Sequence, residues 1–259
     1  MNSKKRLILT PLTGVPEVRE GDDLSILIKS ALDTEGIEIK DGDVLVVAQK
    51  IVSKAEGCLV NLETIKPVER ARELAEVTGK DPRLVELILQ ESLEVLRARP
   101  GLIVSVHRLG FVCANAGIDH SNVGVGGAHS ENWVLLLPED PSRSADKIRS
   151  DLENATGNKL GVLVIDSHGR AWREGIVGAV IGLSGVPGVV DLRGVSDRDG
   201  FTLQITRLGT ADELASAASL VMGQAAEGVP VVHVSGFPYS QQEGSMKEII
   251  RSLENDLFR

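Results

Sequence analysis

Hydrophobic positions along the chain fall into short blocks separated by glycine, proline and charged turns. Runs rich in Val, Ile and Leu at residues 6–12, 43–48, 102–107, 111–114, 133–137, 160–165, 202–207 and 230–234 have the length and β-branched content of strands. Between them lie stretches with helical spacing. Residues 22–32 place Leu24, Leu27, Ile28 and Ala31 on one face. Asp81-Pro82 reads as an N-cap followed by a first-turn proline, and Leu84, Leu87 and Ile88 continue the stripe, predicting a helix over 81–97 directly after one over 67–78. A further helix is expected over 144–154, stopped by Gly157. Thr210-Ala211-Asp212-Glu213 and Ser245-Met246-Lys247-Glu248 have the spacing of capping boxes. Two helices in succession, followed by clustered strands, break the regular β-α alternation of a doubly wound sheet. The pattern predicts an α+β fold with predominantly antiparallel sheets and a second domain inserted in the first: residues 1–65 and 185–259 for one, 66–184 for the other. The glycine-punctuated apolar segment 176–190 and the run 230–234 lack the alternation of half-solvated strands, which makes them candidates for core or for a shared surface.

Composition narrows the function. With 28 Lys+Arg against 37 Asp+Glu the 259-residue chain carries a formal charge of −9, against a nucleic-acid coat or a binder of anionic membranes. Aromatic residues make up 3%, too few for a base-stacking platform. Two cysteines, Cys58 and Cys113, make neither a disulfide scaffold nor a four-cysteine zinc site. The apolar runs are too short to span a bilayer, and the basic start at residues 1–6 leads into a first strand, so a cytoplasmic protein is expected. No Walker A sequence, dinucleotide fingerprint or Gly-x-Ser-x-Gly elbow occurs.

Two stretches carry oxygen ligands of the kind that hard cations require. Asn115–Asn122 follows a strand and supplies Asp119, Ser121 and Asn122. Leu160–Arg170 ends an apolar strand in Asp166, then Ser167 and His168. Each also reads as a simple turn opened by an aspartate, and His168 as a ligand or a hydrogen-bond partner. Lys54, Arg170 and Arg173 are the nearby cations that could meet a polyanion, or else ordinary surface charges. Gly223–Gly228 offers flexible backbone with Gln224 and Glu227 in reach of a metal or phosphate, or a helix C-cap and linker.

Taken in order, Pro11–Pro16, Glu20–Asp23, Asp41–Val47, Ile51–Gly57, Asn115–Asn122, Ile165–Arg170 and Leu220–Ala225 resemble the coenzyme F420-0:L-glutamate ligase family over nearly the whole chain. The resemblance implies a homodimeric, GTP-dependent enzyme. It would add L-glutamate to the lactyl carboxylate of F420-0, and further γ-linked glutamates, through an acyl phosphate, releasing GDP and phosphate. It implies Mn²⁺ or Mg²⁺, two ions, and admits K⁺. By position it gives Asp119, Asp166, Ser167 and Gln224 as metal ligands, and Leu12, Thr13, Gly14, Val15, Gln49, Lys50, Lys54 and Asn122 as GTP contacts. Arg170 and Arg173 are left as candidates for substrate anions. Gln49-Lys50 stands where many relatives have small hydroxyl residues, Gln224 where others have Glu, and Gly124–Asn132 reads as an insertion. The competing readings are a non-catalytic nucleotide or F420-binding module and a metal-dependent phosphatase.

Overall fold

A computed structural model of the chain describes residues 6–121, 123 and 131–256. Along the described chain the elements run β1 (Ile8–Pro11), α1 (Leu24–Thr34), β2 (Asp43–Ala48), α2 (Gln49–Ala55), β3 (Leu59–Asn61), α3 (Glu69–Thr78), α4 (Pro82–Gln90), β4 (Ser92–Arg99), β5 (Leu102–His107), β6 (Val112–Ala114) and β7 (Trp133–Leu135). They continue with α5 (Pro141–Thr156), β8 (Leu160–Arg170), β9 (Arg173–Ser184), β10 (Val190–Asp191), β11 (Arg207–Leu208), α6 (Thr210–Met222), β12 (Val231–Ser235) and α7 (Met246–Ile249). This is the expected α+β class, mostly antiparallel.

The central sheet has the order β1-β12-β2-β8-β9. Every neighbouring pair is antiparallel except β2 with β8, which run parallel from Asp43↔Leu160 to Ala48↔Ile165. β2 is buried on both faces, which explains its unbroken Val/Leu run. Leu45 and Val47 point into a core shared with α1, α2 and α5, while Val44 and Val46 point into a second core under α6. Two glycines of β9 permit this double layering. At Gly178 a side chain would meet the Ala215 carbonyl oxygen of α6 at 2.5 Å, and at Gly182 it would meet the backbone of Pro141 in α5 at 2.3 Å. A third core gathers Leu62, α3, α4, Ile103 of β5 and Val134 of β7, beside the three-stranded sheet β4-β5-β6. The expected domain division near residues 65 and 185 falls between β2 and β8, strands that are hydrogen-bonded neighbours. Residues 160–184 thus pair within the central sheet.

Several local expectations change. The helix over 81–97 stops at Gln90, because the residues after Glu91 pair with β5 instead and the Ser92 hydroxyl donates to that of Ser105 at 2.7 Å. The strand over 202–207 shrinks to Arg207–Leu208. Segment 176–190 supplies most of β9, and Val180–Val186 and Val231–Val234 are buried within the chain itself, so their apolar character needs no shared surface. The Thr210 hydroxyl does not cap α6; it is buried and donates to the Pro187 carbonyl, whereas the capping box at Ser245 forms. His233 is buried in β12, with Nε2 2.8 Å from Asp43 Oδ2.

Gly182→Ala is expected to lower the stability of the chain by about 1–3 kcal/mol, because the added methyl is driven into the backbone at Pro141. Gly169→Ala, with nothing within 4 Å of the new atom, is expected to stay within about 0.5 kcal/mol of the parent. Urea unfolding of the two variants side by side reads the difference.

Candidate active site

The parallel ladder of β2 and β8 ends at Ala48 and Ile165, β8 running on beside β9, and at this end side chains from several elements meet around a cleft of about 760 Å³. α2 begins directly at the end of β2 and brings Gln49, Lys50 and Lys54. β8 brings Asp166 and Ser167. The turn after α6 brings Gln224 and Glu227, and the segment after β1 brings Val15 and Glu17.

Asp119 enters from the third core. Its approach is a left-handed turn in which Asn115, Ala116 and Gly117 have φ of 50°, 51° and 65°. Such values are costly for the two residues with side chains. The turn is held by the Asn115 side chain, which accepts from Ile103 N–H at 3.0 Å, and by full burial of Ala116. A side chain at Gly117 would strike Leu137 at 2.7 Å, so glycine is required there on two counts. Asp119 then exchanges both backbone hydrogen bonds with Leu135, N–H to O at 3.0 Å and O from N–H at 2.9 Å.

Around the carboxylates the polar contacts are specific. Gln49 donates from Nε2 to Asp119 Oδ2 at 2.6 Å, and its own Oε1 accepts from the Ser53 hydroxyl one helical turn on, at 2.9 Å. Lys50 Nζ lies 3.6 Å from Asp119 Oδ2 and donates to the Ser121 carbonyl and hydroxyl oxygens at 3.2 and 3.1 Å. Burial raises the Asp119 pKa to about 6; Lys50 opposes the rise and the negative charge of Asp166 adds to it. Asp166 similarly helps burial push the Cys113 thiol up to about 12. Ser167 donates to Gln224 Oε1 at 2.9 Å, and Gln224 Nε2 donates to the Ser219 hydroxyl at 3.0 Å. Lys54 Nζ stands 3.9 Å from Glu17 with its side chain largely enclosed. The Glu227 carboxylate folds back over Gly223 and accepts from Ala225 N–H at 2.8 Å; amides of the turn, that of Ala225 first, lower its pKa. Asp119 and Asp166 therefore share a cleft with amide and hydroxyl oxygens, two lysines, and the carboxylates of Glu17 and Glu227, of which Glu17 lies beside Lys54 and Glu227 accepts from the Ala225 amide.

Residues 14–236 match the family described as F420-0:Gamma-glutamyl ligase. The chain belongs to this family. It is 49% identical over 253 residues to the coenzyme F420:L-glutamate ligase of Methanothermobacter thermautotrophicus, covering 97% of this chain and 98% of the relative. It is 46% identical over 263 residues to the enzyme of that name from Methanopyrus kandleri, covering all of both chains. With that of Archaeoglobus fulgidus it shares 44% over 254 residues, 98% of this chain and 97% of the relative.

For a member of the F420-0:gamma-glutamyl ligase family, the expected site residues separate clearly. Asp119, Asp166, Ser167, Gln224, Val15, Gln49, Lys50 and Lys54 all line the one cleft. Leu12, Thr13 and Gly14 do not: Leu12 is fully buried, Thr13 donates its hydroxyl to Glu35 at 2.5 Å, and Gly14 packs beside Ala31 of α1. Arg170 and Arg173 sit at the β8–β9 hairpin away from the cleft lining, with Arg170 reaching the carbonyls of Glu174 and Gly175. Asn122 and Gly124–Ser130 lie outside the described residues. Ser219 and Glu17 belong to the cleft although the pattern of the sequence did not mark them as site residues, and Ser121, marked with Asp119 as an oxygen donor, lines it as well. Ser219 lies in the last turn of α6, five residues before Gln224, and the packing of that helix on β9 carries both to the cleft. A second groove, of about 610 Å³ between α1 and α5, is lined by Asp23, Lys29, Asp33 and Asp151. Its carboxylates are matched by Lys29, Lys147 and the first amides of α1.

The raised pKa of Asp119 fixes the sign of a stability effect in metal-free buffer. Below the ordinary value of 3.8 both folded and unfolded chains hold the proton. Between 3.8 and about 6 the folded chain keeps it and the unfolded chain loses it, so stability falls as pH rises through this window. Asp119→Asn removes that dependence. With chelator present it is expected to stabilise the chain at pH 7 by up to about 3 kcal/mol and to do nothing below pH 4. Urea midpoints at the two pH values measure it.

Proposed function

We propose that this chain ligates L-glutamate to the lactyl carboxylate of coenzyme F420-0, and adds further γ-linked glutamates, at the expense of GTP. The observation that supports this reading most is the pair Asp119 and Asp166 beside Lys50 and Lys54, in a chain of the F420-0:gamma-glutamyl ligase family. A carboxylate is a poor acylating agent. In the proposed course, a lactyl oxygen attacks the γ-phosphorus of GTP, the bond to the bridging oxygen breaks, and GDP leaves. The glutamate amine then attacks the acyl carbon, phosphate departs with the former carboxylate oxygen, and the amine proton passes to solvent. This course needs no enzyme nucleophile, and the high pKa of Cys113 keeps the nearest thiol inert. The work left to the protein is to hold a nucleotide and two anions in line.

In this reading Lys54, 3.9 Å from Glu17, would meet phosphate oxygens and Lys50, 3.6 Å from Asp119, would balance charge, as a polyanion requires of local cations in a protein of formal charge −9. The charge of Asp166 acts on Asp119, and the groups that could ligate a cation beside them are oxygens: the two carboxylates, the Ser167 hydroxyl and the Gln224 amide oxygen. That chemistry suits Mg²⁺ or Mn²⁺, and two ions are proposed, with K⁺ as an accessory. Among the described residues no three His, Cys, Asp or Glu side chains converge, so the remaining coordination positions belong to phosphate and water, as is usual for Mg²⁺. Bound there, a divalent ion would offset the charge of the transferring phosphoryl group. Trp172, Phe201 and Ile205 are exposed apolar side chains that suit the proposed homodimer, and no helix among the described residues is long and apolar enough to cross a membrane.

Incubation of the chain with F420-0, GTP, Mn²⁺ and glutamate should give a product heavier by one glutamyl residue, by mass spectrometry, with glutamate-dependent release of GDP. Glutamate-independent phosphate release would point to the phosphatase, and binding without turnover to the binding module. Asp166→Asn is expected to keep the fold and lose nearly all ligation; near-normal turnover at saturating GTP and Mn²⁺ would sink its assignment.

Lys54→Ala should weaken GTP binding while leaving glutamate almost untouched, since a charge-assisted hydrogen bond to phosphate is worth about 1.5–3 kcal/mol. Titration of each ligand against the variant decides, and an unchanged GTP constant returns Lys54 to the role of partner to Glu17.

A further inference from the structure

We propose that His168 is a positioning residue that holds the Asp166 carboxylate in the orientation required at the cleft. The inference rests on the reading of Asp166 as a metal ligand. In a strand, residues two apart share a face, and on β8 the imidazole Nε2 of His168 lies 3.1 Å from Asp166 Oδ2. His168 is not among the residues that line the cleft, so it stands behind the carboxylate. Its Nε2 is shielded from solvent, and the contact to Asp166 lies off the line of a well-formed hydrogen bond, leaving the nitrogen with no satisfied partner. Supporting contacts of this kind are commonly poorly aligned in an empty site and tighten when the ligand arrives.

The ring itself is held from the other side of the molecule. Phe111 packs on it with centroids 5.2 Å apart and planes at 50°. Phe111 is in turn stacked on His107 at 5.2 Å and 5°. His107 is fully buried; its Nδ1 accepts from Leu109 N–H at 3.1 Å, and its Nε2 faces Glu91 Oε2 at 3.5 Å. Glu91 is anchored by Arg108 at 2.8 Å. A chain of packed rings thus runs from the end of α4 to the back of Asp166 and leaves His168 little freedom to turn away. Groups behind a metal-binding carboxylate restrict its rotation, and their loss commonly weakens metal binding by about 10–100-fold.

The test is calorimetric titration of the full chain with MnCl₂ alone, in the parent, His168→Phe, His168→Gln and Asp166→Asn. Phenylalanine keeps a ring against Phe111 and removes the nitrogen; glutamine restores an N–H near the place of Nε2. Circular dichroism and thermal melts confirm folding, and His168→Met, which packs without a donor, replaces the phenylalanine variant if that one does not fold. The expected result is roughly a tenfold or greater loss of Mn²⁺ affinity in His168→Phe, recovery to within about twofold in His168→Gln, and a larger loss in Asp166→Asn. Parent-like affinity in His168→Phe, with Asp166→Asn weakened, overturns the positioning role and leaves the metal reading standing. Equal losses in the Phe and Gln variants also overturn it, because an N–H restored near the place of Nε2 would then recover nothing. Unchanged affinity in Asp166→Asn overturns the metal reading and the positioning role together.

Discussion

The parallel pairing of β2 with β8 is the constraint on which the site depends. In the other ladders of the central sheet, neighbouring strands run in opposite directions; here alone they run in the same one. Ala48 and Ile165 are register partners, so the residues that follow them, Gln49-Lys50 and Asp166-Ser167, emerge side by side. Ligand sites of sheets with parallel strands gather at carboxyl ends for this geometric reason. The register is secured by burial on both faces: a slip by one residue would exchange the Leu45/Val47 and Val44/Val46 rows between two cores of different shape.

The second constraint is electrostatic. Asp166 is delivered by the central sheet and Asp119 by a strained turn clamped to β7, so the two carboxylates come from separately built cores. Burial raises the cost of ionising Asp119, the charge of Asp166 adds to it, and the Asp119 pKa near 6 records that cost. Gln49 and Lys50 relieve it in part, and α2 can supply both because it starts without a connecting loop at the end of β2. An arrangement that conserves negative charge at such expense is suited to receive cations rather than to stand alone, which is the physical basis for reading the cleft as a phosphoryl-transfer site.

The joint between the cores is lined by rings rather than by a salt-bridge network. His107, Phe111 and His168 pack in series from the three-stranded sheet to β8, the first pair stacked and the second tilted. Stacked rings resist sliding because each contact is broad and apolar.

The amino-acid sequence by itself determined the class of the fold, most element cores and the candidate carboxylates. Hydrophobic period, caps such as Asp81-Pro82 and stops such as Gly157 are local, and local physics decides them. It also carried the family through ordered segments from Pro11 to Ala225. Tertiary structure decided what depends on partners distant in the chain. Residues after Glu91 have acceptable helical spacing, yet pairing with β5 makes them a strand. The glycine-dotted segment 176–190 reads as close packing, and most of it joins the longest strand, where Gly178 and Gly182 answer specific neighbours in α6 and α5. Thr13 and Gly14 adjoin the cleft residue Val15 in sequence but face Glu35 and α1, while Ser219, distant from every other site residue but Gln224, lies in the lining. Adjacency along the chain fixes backbone continuity alone; which face a side chain presents to the cleft is set by the packing of helices and by the single parallel register that closes it.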